Sequence, residues 1–422
     1  MKIIVPMSGY GERFKKAGYK KPKPLIEIEG KPIISHVIDM FGIDNDFVFI
    51  CNAEHLKSTN MEFLLNKYAP NNHILEIKPH KKGPVFAVEK AYKFIANEEP
   101  VVVNYCDFTC YWNFKLFKNW LEENDFDGVI PSYKDFHPHS LGSTNYAYLK
   151  VSSEKVLEVQ EKKPFTNNRM QELASSGTYY FRKGSLVKRF FTELINKRID
   201  LNGEYYCSLV YNLMIKNKLK VGFYELEHFM QWGTPQDLEE YKNWSNAFKR
   251  LLTKNDKEYI TPKGSLVLPM AGEGKRFINE GYKEKKPLIK INNKSMFLRA
   301  INSMPNTLEK ILIVQGDQSL TNEFNNQINL LPGNKSYKLV NLDKPTTGQA
   351  ISCIEGLKNF ELINPITISA CDHACLFDNK LFLDQLNDKS VDVIVWGYRK
   401  YVNAIRNPTM YGWIEEEKKV IK

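Results

Sequence analysis

The chain has 422 residues, of which 43% are hydrophobic and 13% aromatic. This length favours two domains over one, and the composition excludes a disordered chain. The net charge of +10 comes mostly from scattered lysines, without a basic patch interleaved with aromatic residues. The charge therefore favours attraction of anionic small molecules over nucleic-acid binding.

Seven cysteines, an odd number without zinc-finger spacing, favour a reducing compartment. No apolar run approaches the length of a membrane span, and the N-terminus enters a strand rather than a signal peptide. We therefore expect a cytoplasmic protein with no membrane partner.

Cys106 and Cys110, like Cys371 and Cys375, show a Cys-x₃-Cys spacing that we interpret as small buried residues at strand ends.

The first predicted element is a buried strand at residues 3–5 that opens into a glycine-containing loop. Gly9 and Gly11 allow the backbone N–H groups of this loop to approach a ligand closely, which suits a polyphosphate. Arg13 and Lys23 would add the positive charges that a triphosphate needs. By itself the loop is weak evidence, because Phe14 stands where a dinucleotide-binding motif has its third glycine.

The same stretch occurs a second time, at residues 266–288, without a gap. This repetition favours a functional phosphate site over an ordinary strand-to-helix turn. The matched pairs are Pro6 and Pro269, Gly9 and Gly272, Gly11 and Gly274, Arg13 and Arg276, Lys23 and Lys286, and Pro24 and Pro287.

Helix and strand patterns alternate along the rest of the first half. The spacing predicts helices at 33–40, 62–68 and 85–95, and strands at 46–51 and 101–105. Such alternation predicts an α/β domain with a largely parallel sheet. Residues 223–229, the Trp232-Gly233-Thr234-Pro235 motif and a helix to about residue 248 close this domain.

The repeat predicts the domain organisation. We expect a first domain at 1–248, a lysine-rich linker at 249–264 and a second domain at 265–422. Residues 101–110 resemble 366–375, so that Asp107 matches Asp372. The first copy continues beyond Leu157 without a counterpart in the second, which we interpret as a second domain that lacks its C-terminal part.

Asp107 and Asp372 each end a largely apolar predicted strand. A carboxylate at the C-terminal end of a parallel strand faces the crevice where α/β folds bind ligands. A helix cap or turn is the alternative, but the repetition favours a Mg²⁺ ligand, since Mg²⁺ takes one or two carboxylates together with phosphate oxygens.

The first copy resembles the sugar-phosphate nucleotidyltransferase family, whose signature is Gly-x-Gly-x-Arg followed by Pro-Lys-x-Leu. Residues Pro22 to Leu25 fit this signature, whereas the second copy has Lys285 in place of the leading proline. The resemblance implies a Rossmann-like, three-layer α/β/α domain of GT-A-like type, duplicated in tandem. It also implies that the aspartate after the strand holds the catalytic Mg²⁺.

The resemblance assigns roles to residues of both copies. The catalytic set would be Arg13, Lys23, Asp107, Arg276, Lys286 and Asp372, with Asp107 and Asp372 as the metal ligands. The nucleotide would contact Met7, Ser8, Gly9, Gly11, Gly83, Met270, Ala271, Gly272, Gly274, Gly348 and Gln349. The acceptor would contact Glu161, Lys162 and Gly177.

Two positions of the first copy depart from the family. Pro84 stands in the Gly-x-Ala segment that contacts the base in relatives and removes a backbone donor, whereas Gly348-Gln349-Ala350 keeps the pattern. Gln231 stands where relatives have a second metal aspartate, so another ligand such as Glu204 would be needed.

We therefore expect transfer of a nucleotidyl group from CTP, UTP or dTTP to a phosphorylated small molecule, with Mg²⁺ as cofactor and pyrophosphate released. A sugar 1-phosphate is the expected acceptor, and surface polysaccharide synthesis the expected pathway. The alternatives are a CTP-dependent enzyme for phosphocholine or a similar acceptor, a non-catalytic nucleotide-binding copy, and a glycosyltransferase. The last would want an Asp-x-Asp motif, whereas Asp107-Phe108-Thr109 and Asp372-His373-Ala374 each have only the first aspartate. Homo-oligomer formation is left open.

Overall fold

The computed structural model describes residues 1–253, 262–316, 322–331, 337–399, 401–417 and 420–421. It divides into a first unit, residues 1–246 with 397–422, and a second unit, residues 247–396. The predicted second domain, 265–422, thus differs from the second unit at its C-terminal end. The predicted linker 249–264 begins inside a helix, and its residues 254–261 lie outside the described ones.

The first unit alternates strands and helices. Its strands are β1 Lys2–Met7, β2 Glu27–Ile28, β3 Lys31–Pro32, β4 Asp46–Asn52, β5 Asn72–Ile77, β6 Val101–Asn104, β7 Phe108–Tyr111, β8 Gly128–Tyr133, β9 Ala147–Ser152, β10 Lys155–Glu161, β11 Leu173–Ser175, β12 Thr178–Phe181, β13 Val221–Glu225 and β14 His228–Gln231. Its helices are α1 Glu12–Lys16, α2 Ile33–Asp39, α3 Ala53–Ser58, α4 Met61–Tyr68, α5 Gly83–Glu89, α6 Phe114–Glu123, α7 Gly184–Asn196, α8 Cys207–Lys216 and α9 Pro235–Thr253, of which α9 runs on into the second unit.

Ten of these strands form one sheet in the order β11-β9-β10-β13-β8-β12-β6-β1-β4-β5. The strands β6, β1, β4 and β5 run parallel, as predicted. The prediction of a largely parallel sheet is wrong for the other half, where β12 pairs antiparallel with both β6 and β8. In that half β9 and β10 are joined by a connection too short for a crossover helix and pair antiparallel, and β11 and β12 both run antiparallel to β8.

Helices cover both faces of the sheet, giving the three-layer Rossmann-like arrangement. Alternate residues of β1 point to opposite faces, so that Val5 packs with α2, α4 and α6 and Ile4 packs with α5, α7 and α8. Both side chains are fully buried. A strand buried on both faces is apolar throughout, which accounts for the uninterrupted hydrophobic run at the start of the chain.

A small hairpin lies beside the carboxyl end of the parallel strands. The strand β7 follows β6 directly and pairs antiparallel with β14, so that Phe108 stands opposite Gln231. This pairing brings a segment from the end of the domain next to Asp107, which lies between β6 and β7.

The second unit repeats the parallel part of the first. Its elements are β15 Ser265–Pro269, α10 Lys275–Asn279, β16 Lys290–Ile291, β17 Lys294–Ser295, α11 Met296–Ser303, β18 Glu309–Gln315, α12 Asn322–Ile328, β19 Tyr337–Leu342, α13 Gln349–Leu357, β20 Ile366–Ile368 and α14 Asn379–Asn387. Its sheet order β19-β18-β15-β20 is the counterpart of β5-β4-β1-β6. The helix α15 Val402–Arg406 and the strands β21 Glu416–Glu417 and β22 Val420–Ile421 fall in the first unit.

The helix α15 is tied to the first unit by an ion pair. Arg406 lies 2.9 Å from Glu240 of α9, and both side chains are largely buried.

Within the described part of the chain, no helix combines the length and the apolar character that crossing a bilayer requires.

Candidate active site

The first unit has a cavity of about 370 Å³ where β1, β6 and β10 end and β12 begins. This volume lies in the range of small-molecule sites. All eleven residues that the sequence predicted for the first copy line this cavity: Met7, Ser8, Gly9, Gly11, Arg13, Lys23, Gly83, Asp107, Glu161, Lys162 and Gly177. Residues far apart in the chain are thus brought together at one place.

The glycine loop is held by its own conformation and by an aromatic anchor. Gly11 precedes α1 with φ 67° and ψ 27°, a left-handed conformation that glycine adopts readily. Phe14, at the position of the missing third glycine, is buried and meets Tyr19 edge-on with ring centroids 5.2 Å apart. The departure from the dinucleotide motif therefore provides packing beneath the loop.

Lys23 and Asp107 form an ion pair at the centre of the cavity, with Lys23 Nζ 2.8 Å from Asp107 Oδ2. Both side chains are about one-fifth to one-quarter exposed. Burial by itself lowers the pKa of Lys23, but the charge of Asp107 and the hydrogen bond to Asp107 outweigh burial, so the pKa is raised. Lys23 is therefore a cation at neutral pH.

Gln231, which stands where relatives have a second metal aspartate, lies next to Asp107. A Cβ added to Gly233 would stand 2.9 Å from Asp107 Oδ2 and 2.8 Å from Gln231 Nε2, so the two side chains converge over this glycine. The backbone supports the arrangement, because Trp232 N donates to the Asp107 carbonyl over 2.9 Å. Glu204, the alternative ligand, instead accepts a hydrogen bond from Tyr206.

These donors fit a magnesium ion. Mg²⁺ prefers oxygen ligands and usually takes only one or two from carboxylates, the rest coming from substrate phosphates and water. Asp107 offers a carboxylate, and Gln231 offers an amide oxygen once the side chain turns it inward. Among the residues that the structure describes, no group of three or more histidine, cysteine or acidic side chains is placed to hold a metal without substrate.

The opposite end of the cavity is acidic and rich in hydroxyl groups. Glu161 accepts a hydrogen bond from Ser208 Oγ, and Lys162 Nζ donates to Tyr206 OH over 2.6 Å. Burial raises the pKa of Glu161 to about 7, although Ser208 and Lys162 act in the opposite direction. Lys162 has a φ of 58°, unusual for a residue with a side chain, which marks a constrained turn at the end of β10.

Two predicted glycines owe their position to close backbone packing. A Cβ on Gly83 would stand 2.7 Å from the backbone N and O of Tyr205, and one on Gly177 would stand 3.1 Å from the rings of Tyr105 and Phe108. Both glycines have positive φ, 81° and 94°. Gly83 is therefore required by the fold whether or not a base contacts it.

Sequence reasoning missed several residues of the cavity wall. His55, His80, Asn145 and Tyr206 line it, together with the backbone around Ser175 and Ser176. Tyr206 lies in the Glu204-Tyr205-Tyr206 run, which could have drawn attention as an acidic and aromatic cluster. The two histidines carry no sequence signal, since each is isolated.

The second unit has a comparable cavity of about 350 Å³. Eight predicted residues line it: Met270, Ala271, Gly272, Gly274, Arg276, Lys286, Gly348 and Gln349. Gly274 has φ 67° and ψ 24°, nearly the values of Gly11. Lys286 Nζ lies 2.5 Å from Asp372 Oδ2, so the central ion pair also occurs twice.

The paired Asp372 carboxyl is ionised. Burial would raise its pKa, but the hydrogen bond and charge of Lys286 lower it further than burial raises it. The cysteines around both aspartates are free thiols; Cys106, Cys110 and Cys371 are buried and Cys375 is half-buried, which agrees with a packing role.

Comparison with known proteins identifies the family of the first unit. The sequence model of the family described as "Nucleotidyl transferase" matches residues 2–221, just over half of the chain. The bifunctional protein GlmU of Staphylococcus epidermidis is 25% identical over 235 residues, which are 54% of this chain and 48% of that protein. This chain therefore spans about half the length of that relative.

Two further similarities are shorter or more distant. Glucose-1-phosphate cytidylyltransferase of Salmonella typhimurium is 38% identical over 53 residues, 12% of this chain and 21% of that protein. The solved nucleoside-diphosphate-sugar pyrophosphorylase of Vibrio cholerae matches with a TM-score of 0.47 and 20% identity, covering 57% of this chain and 99% of that structure. On the match of its residues 2–221, the chain belongs to the nucleotidyl transferase family.

Proposed function

We propose that the first unit transfers a nucleotidyl group from a nucleoside triphosphate to a sugar 1-phosphate, releasing pyrophosphate. The observation that carries this proposal is one cavity with a glycine loop at one side, the Lys23–Asp107 pair at its centre and the acidic, hydroxyl-rich group around Glu161 at the other. Across the cavity the phosphate-binding loop comes first, the Lys23–Asp107 pair second and the hydroxyl-binding end third. In the two substrates placed for reaction, the leaving phosphates, the reacting phosphates and the sugar follow each other in the same order.

The reaction needs positioning more than acid–base chemistry. An acceptor phosphate oxygen attacks the α-phosphorus, a new P–O bond forms, and the bond to the β-phosphate oxygen breaks with pyrophosphate as leaving group. The nucleophile is already an anion, so the site has to bring two polyanions together and neutralise their charge. In this proposal Arg13 and the loop N–H groups hold the leaving phosphates, while Lys23 lies between the α-phosphate and the acceptor.

Asp107 and Gln231 would hold Mg²⁺. When bound, this ion supplies neutralising charge to the α-phosphate and fixes its orientation. Lys23 contributes a second cation beside Asp107, and its amine stays protonated because of that carboxylate. The donor set supports weak binding of a metal by itself and tighter binding together with the nucleotide.

The acceptor end favours a polyhydroxylated molecule. Glu161 and Glu204 offer carboxylate oxygens to hydroxyl donors, and Lys162 offers a cation close to Tyr206 for the acceptor phosphate. Gly177 lines this region, and a Cβ there would press on the rings of Tyr105 and Phe108. A sugar ring would lie over Gly177 with its hydroxyl groups directed to Glu161.

The second unit supports a further nucleotide-binding site. Its loop, Arg276 and the Lys286–Asp372 pair repeat the phosphate-binding half of the first site. We infer that the two units arose by tandem duplication, with Gly348 and Gln349 at the base end of the second site.

We also propose that the nucleotide-activated sugar made by the first unit is used in surface polysaccharide synthesis.

The test is pyrophosphate release by the full chain with Mg²⁺, crossing the four common NTPs with sugar 1-phosphates, phosphocholine and other small phosphorylated acceptors. The proposal expects release that requires one NTP together with one sugar 1-phosphate. Release with phosphocholine instead would replace the acceptor class. No release with any pair, in a sample shown to bind NTP, would leave nucleotide binding alone.

A further inference from the structure

His55 is a buried polar side chain that the proposed chemistry leaves without a task. It is 5% exposed, lies in α3 and lines the cavity of the first unit. Neither ring nitrogen has a hydrogen-bond partner among the described residues. A buried, unpaired imidazole lowers stability, so its presence at a cavity wall points to a ligand that provides the partner.

The position of His55 follows from the order of the strands. The strand β4 lies between β1 and β5 in the sheet, with Met7 opposite Cys51 and Cys51 opposite Glu76. The segment after β4 therefore lies between the loop after β1 and the loop after β5. Asn52 joins this segment to the glycine loop, since its Nδ2 donates to the Gly9 carbonyl over 3.4 Å.

His80, on the neighbouring loop, differs from His55 because both of its ring nitrogens have hydrogen-bond partners. Its Nδ1 accepts from Lys82 N over 3.2 Å, which leaves the proton on Nε2, 3.3 Å from Ser8 Oγ. Its ring meets Phe86 edge-on at 4.9 Å. His80 is thus fixed as part of the wall, whereas both nitrogens of His55 are buried and lack a partner among the described residues.

We propose that His55 binds the nucleobase of the NTP and contributes to the choice among bases; this rests on the proposed function. A neutral imidazole presents one donor and one acceptor, and every nucleobase carries donors and acceptors along its Watson–Crick edge. The base side of the cavity fits this role, because the loop after β1 takes the phosphates and Glu161 lies at the far end.

The charge state of His55 agrees with such a contact. Burial lowers the pKa of His55, and the nearby charge of Lys15 lowers it further. At neutral pH the ring is uncharged and keeps both a donor and an acceptor. A protonated ring would offer two donors and no acceptor, so it would discriminate differently.

Three variants of the full chain test the role. His55→Leu removes both polar atoms with little change in volume, and His55→Gln keeps one donor and one acceptor group. His73→Leu is the matched control, because His73 lies on the adjacent strand β5, outside the cavity, and stacks on Phe94. Binding of each of the four NTPs is measured by calorimetry, and KM and kcat follow wherever the wild type turns over.

We expect His55→Leu to weaken binding of the preferred NTP about tenfold, the loss of a hydrogen bond to a buried group, and to reduce the preference over the other NTPs. His55→Gln should recover part of that preference, and His73→Leu should leave it unchanged. The melting temperature of His55→Leu without ligand should equal or exceed that of the wild type, since unpaired buried polar atoms are removed.

Unchanged affinity and preference in His55→Leu would overturn the proposal. So would a weakening that is equal for all four NTPs and accompanied by a lower melting temperature, because this would mark a structural histidine. The readout is separate from the proposed activity: a wild type that binds NTP but releases no pyrophosphate contradicts the transferase proposal and still leaves His55 open to the same binding test.

Discussion

Lys23 and Asp107 are 84 positions apart in the chain, and Lys23 Nζ donates a hydrogen bond to Asp107 Oδ2 over 2.8 Å. Lys23 lies after the glycine loop and Asp107 lies between β6 and β7. Each neutralises the other in a partly buried cavity, where an isolated charge would be unfavourable. The same carboxylate is the proposed metal ligand, so metal binding has to compete with Lys23.

Lys23→Met should separate the two roles of this pair. Turnover should fall by about 10² or more, because a cation on the reacting phosphates is lost. Affinity for Mn²⁺ without nucleotide should rise up to about tenfold, because Asp107 loses its competing partner. Both are measured on the full chain, by pyrophosphate release and by titration calorimetry.

Lys21→Met is the matched control for the same change of charge. Lys21 pairs with Glu27 on the surface and lies outside the cavity. It should leave turnover and Mn²⁺ affinity near the wild-type values. Equal Mn²⁺ affinity in Lys23→Met and the wild type would contradict the competition.

Gln231→Asp should strengthen the metal site. A second carboxylate next to Asp107 would repel it without a metal and bind a divalent cation more tightly with one. We expect a lower melting temperature in EDTA and a larger rise on adding Mg²⁺ than in the wild type. Gln231→Asn, which shortens the side chain without adding charge, should show no such gain; if both variants respond alike, Gln231 is not beside the metal.

Glu161→Gln should remove a pH dependence of stability. The pKa of Glu161 is raised from 4.5 to about 7 by burial. The folded protein therefore binds this proton more tightly than the unfolded chain, so the stabilising effect is full below about pH 4.5 and is lost as the pH rises through about 7. Glutamine cannot ionise and has no such loss.

The variant should accordingly be more stable than the wild type at pH 8, by about 1–3 kcal/mol, and should lose this advantage by pH 4.5. Denaturant unfolding at the two pH values gives the difference. Glu158→Gln, exposed on the same strand, is the control and should show little change. A Glu161→Gln advantage that does not vary with pH would contradict the raised pKa.

Gly83→Ala should destabilise the domain more than a glycine-to-alanine substitution at a position where no neighbouring atom is close. The new Cβ would meet the backbone of Tyr205 at 2.7 Å, and φ is 81°. We expect a loss of about 3 kcal/mol, from the left-handed conformation and the overpacking together. Gly18→Ala has the same conformational penalty at φ 86° with nothing nearby, and should lose about 1–2 kcal/mol; equal losses would show that Tyr205 moves aside.

The parallel half of the sheet and the phosphate-binding end of the site could be predicted because their signals are local and repeated. The run of apolar residues in β1, the glycine loop and Lys23 lie within one short stretch that occurs twice. Asp107 could be added because it ends a second apolar strand at a matching position. Local sequence thus carries the elements that the chain forms by itself.

The other half, in which β8 and β13 run parallel and the remaining pairs are antiparallel, could not be predicted, because it depends on pairing between distant segments. Residues 223–229, taken as one closing segment, divide between β13 and β14, which pair with different partners, β8 and β7. This split places Gln231 next to Asp107. The proximity of these two side chains is set by that register and by Gly233; the family resemblance marks position 231, but the pairing itself does not follow from the local sequence pattern.

The role proposed for His55 could not be predicted from the sequence either. A single histidine after a strand has no distinguishing pattern, and the sequence cannot tell a satisfied ring from an unpaired one. Only the surrounding strands show that His80 finds two partners and His55 none among the described residues. Unpaired polar atoms are a property of packing in three dimensions.

In the proposed function, transfer takes place in the first unit, at Asp107. The most direct measurement compares Asp107→Asn with Asp372→Asn in the full chain, using pyrophosphate release with the active pair of substrates. We predict that Asp107→Asn lowers kcat by about 10² or more with its melting temperature retained within a few degrees, and that Asp372→Asn keeps most of the activity. Loss of activity in Asp372→Asn with full activity in Asp107→Asn would contradict the account.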